Sequence, residues 1–150
     1  MMNAILLAIG AGLCWGIGEV CAKSVLHGKE VGAFAIAGVR AVVALPLVLM
    51  AYWIAVPLLK SEPAQWYQAG PGVWTKMIIG SGVLAAAAGP ILFYCALKIS
   101  DISVVKPIAF TVAPATAALI GWTLLGEPVT PKKVIAVALI LGGVVLLTTK

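Results

Sequence analysis

Charge is scarce in this sequence. Asp, Glu, Lys and Arg make up 10% of the 150 residues, against roughly a quarter in soluble domains. That shortage excludes a soluble enzyme, because so short a chain has no core large enough to hide the apolar side chains that remain. Histidine occurs once, as His27, and the three cysteines (Cys14, Cys21, Cys95) have no CxxC spacing and sit inside apolar runs. A His/Cys metal centre and a disulfide-built secreted domain are therefore excluded, and the cysteines read as small packing residues. No nucleophile–base pair and no phosphate-cradling loop is present, so no catalytic residue, metal or cofactor is expected. The ten basic residues are scattered rather than gathered, which argues against a nucleic-acid surface. No basic segment precedes the first apolar stretch, which is expected to be retained rather than cleaved.

Apolar side chains are what the sequence has in excess: 63% of it is hydrophobic. Such a chain belongs in a bilayer. Five apolar runs, at 3–22, 31–59, 74–97, 102–125 and 134–148, predict an all-α integral membrane protein with five transmembrane helices in one domain spanning 1–150. About 20 residues at 1.5 Å each cross the hydrocarbon. The second run is long enough to tilt, whereas the fifth needs its flanks. Short connections predict an antiparallel bundle. The longest connection, KSEPAQWYQAGPG, holds Trp66 and Tyr67. With Tyr52, Trp53 and Trp74 these form an aromatic belt at headgroup level.

An odd number of crossings puts the termini on opposite sides. Lys60, Lys76, Lys132 and Lys133 fall on the amino-terminal side; Lys23, Lys29, Lys98, Lys106 and Lys150 fall on the other, with Arg40 slightly inside it. Basic residues in short loops fix orientation. So even a division leaves two readings open, one fixed orientation or insertion both ways.

Ionisable groups at membrane depth are expensive, which makes them functional candidates. Glu19 lies four residues before Lys23. It is either half of an i,i+4 ion pair that fixes helix one, with Lys23 structural, or a carboxyl facing a central cavity, loading a proton or cationic group. Glu19, Arg40 and Lys106 are all expected to meet at similar depth from helix rise, the last two adding positive charge. Their excess positive charge favours carboxylate or phosphate on a cargo, while snorkelling is the competing reading for Lys106. Pro114, in mid-span, removes a backbone hydrogen bond and should kink helix four. The opened backbone is acceptable where it lines a cavity, together with Trp15, Tyr94, Phe110 and Thr111, and with Thr116 and Trp122. Glu127 ends helix four, where a carboxylate needs a partner; Lys132 and Lys133 are nearest, making a structural clamp between helices four and five. Gly12 and Gly16 in helix one, and Gly142 and Gly143 in helix five, permit close backbone approach.

Several elements recur in a known order. Helix one carries Trp15-Gly16 and then Lys23; helix two carries Arg40; helix three ends ILFYCALKIS; helix four has Pro114 and then LGEPVT around Glu127; helix five reads VIAVALILGGVVLL. In this order the chain resembles the EamA-type domain of the drug/metabolite transporter superfamily over essentially its whole length. Arg40 resembles that family's Arg–aromatic position, although an alanine follows here.

The resemblance implies a transporter of small metabolites, possessing one five-helix module where most members have two, the second inverted. It implies a multi-pass protein of the cell (inner) membrane. Pairing with a second, antiparallel copy or a paralogous half is expected, with helix five at the contact as in the smaller multidrug-resistance relatives. It also implies a structural or gating role for Arg40. Those relatives carry an essential first-helix glutamate, but aligning on Lys23 places it at Trp15 rather than Glu19. Alternating access around a mid-membrane cavity is the expected mechanism, with proton coupling through Glu19 and a small anionic or zwitterionic cargo. Two alternatives stand beside it: a flippase for a lipid-linked phosphate or sugar-phosphate, and a non-transporting membrane scaffold.

Overall fold

Long apolar stretches punctuated by glycine and proline leave the backbone one economical choice in lipid, to satisfy its own hydrogen bonds within helices. In the computed structural model, which describes residues 2–149, every long element is helical and no strand occurs among the described residues. Five helices are long and apolar enough to cross a membrane: α1 (Met2–His27), α2 (Ala33–Leu58), α3 (Pro71–Ile99), α4 (Ile102–Leu124) and α5 (Pro131–Thr148).

Each helix begins or ends on a local signal that shifts it from the hydropathy limits. α1 runs on through Lys23 to His27 because its last turns also pack, Ala22 and Leu26 being buried. Pro71, with its φ preset and its N–H dispensable, starts α3 behind Gly70. Pro131 starts α5 behind Thr130, whose side chain accepts from the Lys133 amide. These flanks lengthen the fifth helix to 18 residues, about 27 Å of rise, close to a full crossing.

Two stretches widen into π-helix. In α2 this happens at Ile54–Leu58, around Pro57, which has no N–H for the carbonyl one turn back. The register slips by one, so that Leu59 donates to Ile54 O at 2.9 Å, and Ser61 closes the end by donating from N and Oγ to Ala55 O at 3.0 and 2.8 Å. In α3 it covers Lys76–Ala88, which includes Gly80 and Gly82, and it ends where Gly89 donates to Leu84 O. α4 is continuous through both Pro107 and Pro114.

The chain divides into two compact units between Lys98 and Ile99. In the first, Lys23 Nζ donates to Leu97 O at 2.7 Å, tying α1 to α3. Arg40 Nη1 donates to the Tyr94 hydroxyl at 3.2 Å, tying α2 to α3. The long loop closes through Trp66 on aromatics of the two helices that flank it. Trp66 Nε1 donates to the Tyr52 hydroxyl at 3.0 Å, and the Trp66 ring lies 5.4 Å from that of Trp74. In the second unit α4 packs on α5. Gly126, at φ +65°, turns the chain out of α4, a left-handed position that suits glycine. Most large apolar side chains along all five helices are exposed, as they must be if lipid is their solvent.

Candidate functional site

The first unit contains an open-sided cavity of about 570 Å³ with apolar walls. Its α1 wall is a stripe, Cys14, Gly18, Cys21 and Val25, with Trp15, Glu19 and Ala22 beside it. Spacings of three and four residues place these side chains on one helical face. Its α2 wall repeats the pattern with Ile36, Val39, Arg40 and Val43, and α3 contributes Tyr94.

Three polar groups stand in these walls. Glu19 is buried at 6% exposure, with Oε2 closed off from solvent. Tyr94 is buried at 4% exposure and accepts the hydrogen bond from Arg40, whose side chain is itself exposed. Helix rise explains why Glu19 and Arg40 line one cavity: Glu19 lies about 12 Å before the end of α1 and Arg40 about 10 Å after the start of α2, and one short turn joins those two ends. Apart from this constellation the walls are aliphatic, aromatic or thiol. The arrangement can hold a negative group at the guanidinium, a positive group or a proton at the carboxyl, and an apolar body between them.

Lys106, Phe110, Thr111 and Pro114 all belong to α4, in the second unit. There the Lys106 ammonium lies 5.3 Å from the centre of the Phe110 ring, one turn on, a cation–π contact. Thr111 is buried at 6% exposure, while Pro114 is exposed.

The expected structural residues have definite places. Lys23 serves the end of α3 through Leu97 O. The Glu127 carboxylate lies over Gly121, close enough that a Cβ there would meet its Cδ at 3.1 Å. Lys133, expected as its partner, donates from Nζ to Pro128 O at 3.3 Å. Gly142, Gly143 and Gly12 face open space.

The model of the EamA-like transporter family matches residues 2–149. The chain belongs to the EamA-like transporter family. It is thus a multi-pass membrane protein of the drug/metabolite transporter type, as the order of its motifs implied. No curated protein and no solved structure matched it. Within this EamA-like chain, Cys14, Cys21, Ile36, Val39 and Val43 line the cavity although the sequence reading assigned them no site role. Counting by three and four from Arg40 finds the α2 stripe, whereas Cys14 and Cys21 belong to a stripe beside Glu19 rather than in register with it.

Proposed function

We propose that this EamA-like chain carries small zwitterionic or anionic metabolites across the cell's inner membrane by alternating access. One observation supports the reading above the others: an acid and a base, Glu19 and Arg40, line a single apolar cavity. A guanidinium offers a planar fork to a carboxylate or phosphate. A carboxylate in this cavity takes a cargo ammonium or a proton, one at a time, so cargo and proton exchange for each other. In liposomes, Glu19→Gln is expected to abolish proton-driven exchange; undiminished proton-coupled flux in that variant removes the coupling role. Thermal stabilisation of the purified protein by a metabolite panel tests the cargo. A zwitterion that stabilises the native chain but not Arg40→Gln supports the reading, and silence across the panel favours a scaffold.

The open side of the cavity also favours a second reading, a flippase for a lipid-linked phosphate. Reconstituted vesicles holding a fluorescent lipid phosphate separate the two. Leaflet exchange without metabolite flux selects the flippase.

The path is completed, in our reading, by a second copy inserted upside down. Support comes from α5, in which Gly142 and Gly143 meet open space, and from the near-even division of lysines between the two sides. Tagging each terminus in intact cells tests this. Signal from both sides for one terminus is expected, and a single orientation rules out self-pairing of this kind.

A further inference from the structure

A second cavity, also about 570 Å³, lies where α1 turns into α2. Lys23, His27, Lys29 and Lys98 all line it, and no acidic side chain does. Three lysine ammoniums gathered beside an imidazole favour an anion among them. Lys23 is fixed at the wall by its bond to Leu97 O. Lys29 has φ +59°, a left-handed conformation that costs a residue with a Cβ about 1 kcal/mol or more. Gly32 also lines the cavity and caps α2 without a side-chain acceptor. The first amides of a 21-residue α-helix and the positive end of its dipole are thus presented there. The charged groups come from the end of α1, the turn and the end of α3, and a helix start adds to them.

We propose that this cavity is a binding site for a phosphate group of net negative charge, separate from the Glu19–Arg40 cavity and independent of the transport reading. Two sources share that chemistry, a lipid headgroup and a soluble phosphate. Val31 lines both cavities, so an acyl chain attached to the bound phosphate has an apolar wall beside it.

The test uses the full chain in neutral detergent, titrated with short-chain phosphatidate, with phosphatidylcholine of equal chain length, and with inorganic phosphate, while its melting temperature is followed. Phosphatidate is expected to stabilise saturably and phosphatidylcholine to do so at least tenfold more weakly. If inorganic phosphate saturates the same shift, the ligand is a soluble phosphate; if acyl chains are required, it is a lipid. Either outcome upholds the site. Lys29→Gln with Lys98→Gln, both exposed positions, should weaken the response by about thirtyfold, the contribution expected of two interfacial lysines. Arginine at both positions should restore it, and Lys60→Gln with Lys76→Gln, which flank the long α2–α3 loop and line neither cavity, should leave it unchanged. Equal stabilisation by phosphatidate and phosphatidylcholine, or an unaltered response in the Lys29/Lys98 variant, overturns the proposal.

Discussion

The Arg40 guanidinium is held 3.2 Å from the Tyr94 hydroxyl, an exposed cation steadied by a buried phenol. Hydrogen bonds to charged groups contribute about 1.5–3 kcal/mol when sheltered, and less on an exposed side chain. Tyr94→Phe should therefore weaken binding of a stabilising metabolite by only about fivefold, roughly 1 kcal/mol. Arg40→Gln should weaken it much further. Because the phenol acts by holding the guanidinium, the double variant should be no worse than Arg40→Gln alone. Additive losses in this double-mutant cycle would mean that Tyr94 touches the cargo independently.

How far the sequence reveals this arrangement depends on the range of the interaction. The five crossings are legible because hydropathy is summed over twenty residues and survives local detail. Helix ends are less so: α1 gains its turn through His27 from packing of Leu26, and α5 gains its first turn from Thr130 and Pro131. Glu19 and Arg40 are legible as expensive charges, and helix rise alone puts them at one depth. The Tyr94 contact and the Leu97 carbonyl that receives Lys23 are 54 and 74 residues away from their donors, beyond any local pattern. Glu127 shows a different limit. The turn at Gly126 lays its carboxylate back over Gly121, a placement that residue order alone does not announce.

The native cysteines report whether water fills the cavity. Cys14 and Cys21 lie two turns apart on the α1 wall and are exposed, whereas Cys95 is half-buried and does not line it. A thiol must ionise to react, so apolar surroundings protect it and water activates it. A membrane-impermeant maleimide is expected to modify Cys14 and Cys21 faster than Cys95, as read by peptide mass spectrometry. A stabilising metabolite should slow the first two only. Equal protection of all three would indicate a lipid-filled cavity.

Gly121 and Gly126 should differ in how they tolerate a methyl group. At Gly121 a Cβ meets the carboxylate end of Glu127 at 3.1–3.4 Å. That end can swing away, so Gly121→Ala should cost less than about 1 kcal/mol. Gly121→Leu overfills the space and should cost about 1–3 kcal/mol, a loss that Glu127→Ala partly relieves. At Gly126 there is open space but φ is +65°, so alanine there should cost about 1–2 kcal/mol with no rescue by Glu127→Ala. Unfolding in mixed micelles measures all four. Rescue of both glycine variants by Glu127→Ala would contradict the distinction.

Lys23 and Leu97 provide the test of what closes the first unit. Leu97 is fully buried, and its carbonyl is among the last four of α3, which have no partner within the helix. The Lys23 ammonium supplies one at 2.7 Å, and a cation is also favoured at the negative end of the helix dipole. Lys23→Met keeps the apolar stem but leaves that carbonyl buried without its donor, a loss of about 1–3 kcal/mol. Lys23→Arg should recover most of it, since the guanidinium also donates. Since Lys23 lines the basic cavity as well, both variants must be melted without phosphate or added lipid. A Lys23→Met chain as stable as the native one under those conditions would show that packing of Leu26 and Leu97 suffices to close the unit.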